Sequence, residues 1–219
     1  MVEISTSILG VKKENIINTI YNLEKAKTDF YHIDVMDGEF VEANTNDKML
    51  EFCEYLNSIT NIPLDVHLMV KDVKNYIDSY AVFKPNIITF HYEACKDRKE
   101  VTEIINYIKE KGIKVGMSIK PNTNIEEISE FLKYINVVLI MTVEPGKGGQ
   151  ELIPETIEKV KKIKELVDRE KLDTYIEVDG GINTINVKEL VNAGAEIIVA
   201  GNAIINSENY EETIKKLKD

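Results

Sequence analysis

Apolar runs of strand length alternate with helix-period stripes along the whole chain, and this rhythm constrains the fold more than any other feature. Strands are expected at residues 2–7, 30–35, 64–69, 86–91, 114–119, 137–142, 174–179 and 197–201. Between them, Ile16, Ile17, Ile20 and Leu23 make one helical stripe. Ile157, Val160, Ile163 and Val167 make another, with Pro154 near its start. Asn122-Thr123 and Asn183-Thr184 read as helix caps, and Gly112 and Gly194 stand where helices should stop. Eight βα units in 219 residues predict an α/β fold, a (β/α)₈ TIM barrel forming one domain over residues 1–219. A doubly wound open sheet competes, but it usually has fewer strands and a glycine fingerprint after the first. Ile8-Leu9-Gly10-Val11 is no such fingerprint.

In a barrel of this kind, chemistry sits at the C-terminal ends of the strands. All three histidines fall near such ends: His32, His67 and His91. Asp34 lies two residues after His32, and Asp65 two before His67, so each pair shares one face of its strand. Asp179 closes the seventh strand. His32, Asp34, His67 and Asp179 offer two imidazole nitrogens and two carboxylates. That donor set suits one divalent transition metal (Zn²⁺, Fe²⁺, Mn²⁺ or Co²⁺) better than Ca²⁺ or Mg²⁺. Asp65 is expected to orient His67 from behind, and His91 is given no ligand role. The plainer reading, two packed strand histidines, explains the same-face aspartates less well. A metal on vicinal sugar oxygens can stabilise an enediolate, with Asp34 and Asp179 exchanging protons on opposite faces of one carbon.

Glycines cluster after the last three strands: Gly146, Gly148 and Gly149 around Lys147, then Gly180 and Gly181, then Gly201 before Asn202. Glycine lets backbone N–H groups approach an anion closely. Phosphate-binding loops after strands six to eight are therefore expected. The chain carries 27 Lys and Arg against 38 Asp and Glu, a net charge of −11. This argues against nucleic acid or an anionic membrane as partner, and requires local donors for any phosphorylated ligand. The lysines within residues 159–164 read as a solvated helix face. No apolar run approaches the ~20 residues of a membrane span, and residues 1–5 lead straight into a strand pattern, so a cytoplasmic location is expected. Cys53 and Cys95 are too few for a disulfide framework and read as structural.

The segments at residues 32–38, 64–69, 141–150 and 177–181 closely resemble ribulose-phosphate 3-epimerase, and the resemblance runs from Ser7 to Ala203. It implies metal-dependent interconversion of D-ribulose 5-phosphate and D-xylulose 5-phosphate in the pentose phosphate pathway, with a small sugar phosphate as partner and a homo-oligomer as assembly. It implies His32, Asp34, His67 and Asp179 as ligands, with Asp34 and Asp179 as the acid–base pair. Ser7 and His67 would touch substrate, and Met36, Met69 and Met141 would form an apolar collar over the enediolate. Read from the residues alone, these methionines would be core filling. Gly146, Lys147, Gly148, Gly149, Gly180, Gly181, Gly201 and Asn202 would hold the phosphate.

Residues 39–48 depart from the family pattern by being more polar; Thr6 stands where a proline is usual, and Lys147 where an aromatic is common. The altered loop keeps an allulose-6-phosphate 3-epimerase in view. A metal-dependent sugar-phosphate aldolase or decarboxylase would need a catalytic lysine or a different acidic motif in a strand; Lys120, followed by Pro121, is a weak candidate for the lysine. A non-catalytic binding protein would not need the four-ligand set.

Overall fold

The computed structural model describes residues 2–219, and its strands follow the expected rhythm to within one residue at each end. They are β1 (Glu3–Ser7), β2 (Phe30–Met36), β3 (Leu64–Met69), β4 (Ile87–His91), β5 (Lys114–Ile119), β6 (Val137–Met141), β7 (Tyr175–Asp179) and β8 (Ile197–Ala200). Each pairs in parallel with its sequence neighbours, and β8 returns to β1, so the sheet is a closed barrel in chain order. The helices outside are α1 (Ile16–Lys25), α2 (Asn46–Ile59), α3 (Val73–Ala81), α4 (Arg98–Glu110), α5 (Ile125–Ile128), α6 (Glu155–Glu170), α7 (Val187–Ala193), α8 (Asn202–Ile205) and α9 (Tyr210–Lys218).

Two main apolar regions hold this arrangement, with a third, small cluster of Leu139, Met141 and Val143 on and just after β6. The larger fills the space between strands and helices, where Ile33, Val66, Ile88 and Val138 meet Leu23, Phe52, Ile104 and Val160. The smaller lies inside the barrel and comes from alternate strands: Phe30, Ile87, Val137 and Ile197 of β2, β4, β6 and β8. Four side chains from even strands form a layer that plugs the barrel at its N-terminal end. Above the plug the interior turns polar. Ser5, Asp65 and Glu177 of β1, β3 and β7 are buried there. On β5 the inward position is Gly116, whose absent side chain leaves room for Thr89; a Cβ would lie 2.0 Å from its Oγ1.

Two helix starts differ from expectation. The cap of α5 is Asn124, which forms a reciprocal capping box with Glu127, so Thr123 is free for another bond. Asn183 does not cap α7 directly; its side chain accepts from the N–H groups of Ile185 and Asn186, turning the chain into a helix capped at Asn186. Lys159 is not part of a solvated face. Its Nζ donates to the carbonyls of Lys120, Pro121 and Thr123 at 3.1, 2.6 and 2.6 Å, and so pins the β5–α5 loop to α6. Cys53 is buried in α2, with its thiol pushed up to about 12 by burial; Cys95 is half-buried and likewise raised. A raised thiol disfavours the reactive thiolate form. No helix among the described residues is long and apolar enough to cross a membrane.

Candidate active site

β2 and β3 pair with Asp34 beside His67, and β6 pairs with β7 so that Met141 lies beside Asp179. Alternation then turns His32, Asp34, His67 and Asp179 into the barrel mouth. His32 Nε2 is 3.5 Å from Asp34 Oδ1 and 3.9 Å from Asp179 Oδ2. His67 Nδ1 is 3.8 Å and 3.6 Å from the same two oxygens. One ligand atom from each residue therefore falls within 4.8 Å of all the others. Both nitrogens are buried and have no hydrogen-bond partner among the described residues. A buried imidazole nitrogen left so costs free energy unless it meets a cation or donor. Two unpaired nitrogens converging with two carboxylates fit a divalent cation.

The groups behind the ligands differ from expectation. Asp65 orients His32 rather than His67: its Oδ2 accepts from His32 Nδ1 at 2.6 Å and from Ser5 Oγ at 2.7 Å. His67 finds its partner on the next strand, where His91 Nε2 lies 2.9 Å from His67 Nε2. His91 is wholly buried and holds no place among the four converging groups, yet it touches one of them. Glu177 packs beneath, beside Asp65 and His32, and sequence reading overlooked it.

Charge in this cluster follows from these contacts. Burial opposes charge on His32, but the Asp65 and Asp34 carboxylates outweigh it and raise the imidazole well above its ordinary value. Burial likewise opposes protonation of His67, and the nearby Asp179 and Asp34 carboxylates raise it. Burial works against ionising Asp34, while the two imidazoles hold its carboxyl far below the carboxylate range. Burial and the Asp65 charge push Glu177 well up. His91 goes the other way: burial, only partly offset by Glu93, brings it down to about 4. Glu93 falls to about 2 despite burial, because His91 and Thr123 bond it.

Above these groups opens a cavity of about 610 Å³. Ser7, Asp34 and Asp179 reach its floor with Met36, Met69 and Met141, while His32 and His67 lie buried beneath. Ser7 Oγ donates to Asp34 Oδ2 at 2.6 Å. The other end is lined by the three glycine loops: Gly146, Lys147, Gly148 and Gly149; Gly180 and Gly181; Gly201 and Asn202. Gly181 has φ +68°, and a Cβ there would lie 2.4 Å from Leu152 N, so the loops after β6 and β7 can approach only through glycine. Gln150 Nε2 donates to the carbonyls of Glu144 and Lys147 at 2.6 and 2.9 Å and closes the first loop on itself.

Residues 3–205 match the Ribulose-phosphate 3 epimerase family. The ribulose-phosphate 3-epimerase of Bacillus subtilis (strain 168) is 36% identical over 219 residues, covering 100% of this chain and 99% of that protein. This chain belongs to the ribulose-phosphate 3-epimerase family. The Methanocaldococcus jannaschii ribulose-phosphate 3-epimerase is also 36% identical, over 220 residues, with 100% of this chain and 91% of that protein covered. Among solved structures, KGPDC from Streptococcus mutans superposes with a TM-score of 0.72. The match covers 100% of this chain and 97% of that one at 13% identity. At that identity the likeness concerns the barrel alone.

The loop after β2 is well anchored. Asp37 Oδ1 accepts from the N–H groups of Glu39 and Phe40 at 2.8 Å, and its Oδ2 from Lys71 N–H at 2.7 Å. Thr45 Oγ1 donates to Asp34 O at 2.6 Å and accepts from Met36 N–H at 2.9 Å. Phe40 packs on His91 with ring centroids 5.0 Å apart, and the Lys120 ammonium sits 4.4 Å above the Phe40 ring. Lys120 is thus a cover over the aromatic pair, apart from the cavity lining.

Proposed function

We propose that this protein interconverts D-ribulose 5-phosphate and D-xylulose 5-phosphate by inverting C3. The observation that carries the reading is the convergence of Asp34 and Asp179 with two unpaired imidazole nitrogens at one end of a cavity whose other end is glycine-lined. His32, Asp34, His67 and Asp179 would hold a divalent cation, with Zn²⁺, Fe²⁺, Mn²⁺ and Co²⁺ the candidates. Such a cation supplies positive charge to the enediolate oxygens that develop when C3 loses its proton.

The remaining steps belong to the chain. The glycine loops after β6, β7 and β8 take the phosphate on backbone N–H groups, with Lys147 as an exposed cation beside them. This places the sugar over the floor between β2 and β7. Asp34, kept ionised by the imidazoles around it, takes or returns the C3 proton from one side, and Asp179 does so from the other. Ser7 holds Asp34 through its hydroxyl and is placed to bond a substrate oxygen. Met36, Met69 and Met141 cover the reacting carbons with apolar surface, which excludes water and strengthens the electrostatics below.

The test is turnover by metal-replete protein with D-ribulose 5-phosphate and with D-allulose 6-phosphate in parallel. The reading expects kcat/KM for the pentulose to exceed that for the hexulose. Turnover of the hexulose alone would reassign the substrate, and turnover of neither would remove the activity.

A further inference from the structure

We infer that Glu93 and His91 are positioning residues that fix the tautomer and orientation of His67 from the end of β4 and the turn after it. The inference rests on reading His32, Asp34, His67 and Asp179 as a metal site, and assigns to two further residues the task of shaping one ligand.

The argument is a proton inventory. A neutral imidazole carries one N–H, and a nitrogen that ligates a metal must present its lone pair. His67 Nδ1 is the atom that faces Asp34 and Asp179, so its proton belongs on Nε2. That nitrogen lies 2.9 Å from His91 Nε2, which must then accept. The His91 proton is left on Nδ1, and the atom it meets is Glu93 Oε2 at 3.2 Å. An ionised carboxylate only accepts. The line Glu93, His91, His67 therefore has one direction, with every N–H pointing away from the site. Reversing it would need a proton on Glu93 and would place one on His67 Nδ1, in the middle of the ligand cluster.

The far end of the line is fixed too. Glu93 Oε1 accepts from Lys120 N–H at 2.7 Å and from the Thr123 hydroxyl. Those residues lie in the loop that Lys159 pins through three carbonyls. The His67 and His91 rings meet at an interplanar angle of 23°, and Phe40 covers the second ring. Glu93 thus does for His67, through one intervening imidazole, what Asp65 does directly for His32. Partners of this kind set ligand basicity and ring orientation.

The experiment is Co²⁺ titration of the full metal-free chain, read by a competing chromophoric chelator and by the visible Co²⁺ spectrum. It compares wild type with Glu93→Gln, His91→Gln and His91→Leu, each checked for an intact far-ultraviolet circular dichroism spectrum. His91→Leu, which removes the acceptor, is expected to weaken Co²⁺ binding by ~10–100-fold and to change the spectrum. His91→Gln, whose carbonyl can accept from His67, should recover part of that loss. Glu93→Gln, with no contact to any ligand, should still weaken binding by roughly tenfold. Should His91→Leu not fold, the two glutamine variants carry the comparison. All variants binding within twofold of wild type, with an unchanged spectrum, would overturn the inference while leaving the metal site standing. A wild type that binds no Co²⁺ would overturn both.

Discussion

Single residues decide the chemistry, and their burial sets the size of each effect. Asp34→Asn and Asp179→Asn each remove one proposed proton carrier and one candidate ligand. Either variant should lower kcat by about 10²–10⁴ at saturating metal, the range for losing a general acid or base. Retained turnover in either, with metal content confirmed, would remove that residue from the acid–base pair. Glu93 gives a separate prediction for metal-free protein. Its folded value is depressed from 4.5 to about 2, so its stabilisation is present above 4.5 and is lost as pH falls through 2. Wild type should exceed Glu93→Gln in unfolding free energy by about 3 kcal/mol at neutral pH. The gap should close between pH 4.5 and 2. Urea melts across that range check it, and a gap independent of pH would contradict it. The four converging residues were legible because each shows its own signal: a rare histidine, or a carboxylate at a strand end. His91 and Glu93 were not, because their role depends on the register of β4 against β3 and on a loop about thirty residues further along.

At the scale of elements, the strands were easy to read, and the segments between them less so. A strand buried on both faces shows as an apolar run whatever surrounds it. Helix starts depend on competition for side chains. Thr123 resembles a cap, but its hydroxyl bonds Glu93, and the capping box passes to Asn124 and Glu127. Lys159 sits among solvated lysines in sequence, and only the fold brings it to carbonyls from residues 120, 121 and 123. The glycine loops give the prediction at this scale. Gly181→Ala places a Cβ against Leu152 N in a left-handed conformation and must separate the loops after β6 and β7. It should raise KM for a phosphorylated substrate at least tenfold while the strands stay paired, as amide exchange would show. An unchanged KM would remove that loop from phosphate binding.

Over the whole molecule, the buried histidines and carboxylates gather in one column inside the barrel. An apolar plug of four side chains closes the N-terminal end, and a cluster of histidines and carboxylates occupies the mouth. A cation that binds His32, Asp34, His67 and Asp179 only in the folded state would stabilise that state by mass action. Metal at a hundredfold excess over Kd should stabilise the fold by about 2.7 kcal/mol. For a chain of this length that is a rise in Tm of roughly 5–10 °C, reversed by a chelator. No shift on chelation would argue against a metal within the barrel. The net charge of −11 argues against polyanionic partners more strongly than against a small phosphate, because glycine loops offer uncharged donors at close range.

The central claim is inversion at C3 by two carboxylates on opposite sides of one carbon. Its most direct test is the reaction of metal-replete protein with D-ribulose 5-phosphate in D₂O, followed by proton nuclear magnetic resonance through the first turnovers. The predicted result is D-xylulose 5-phosphate carrying deuterium at C3 from its first appearance, since the proton removed on one side is not the one returned on the other. Product that keeps its original C3 proton, or no product and no exchange, would contradict it.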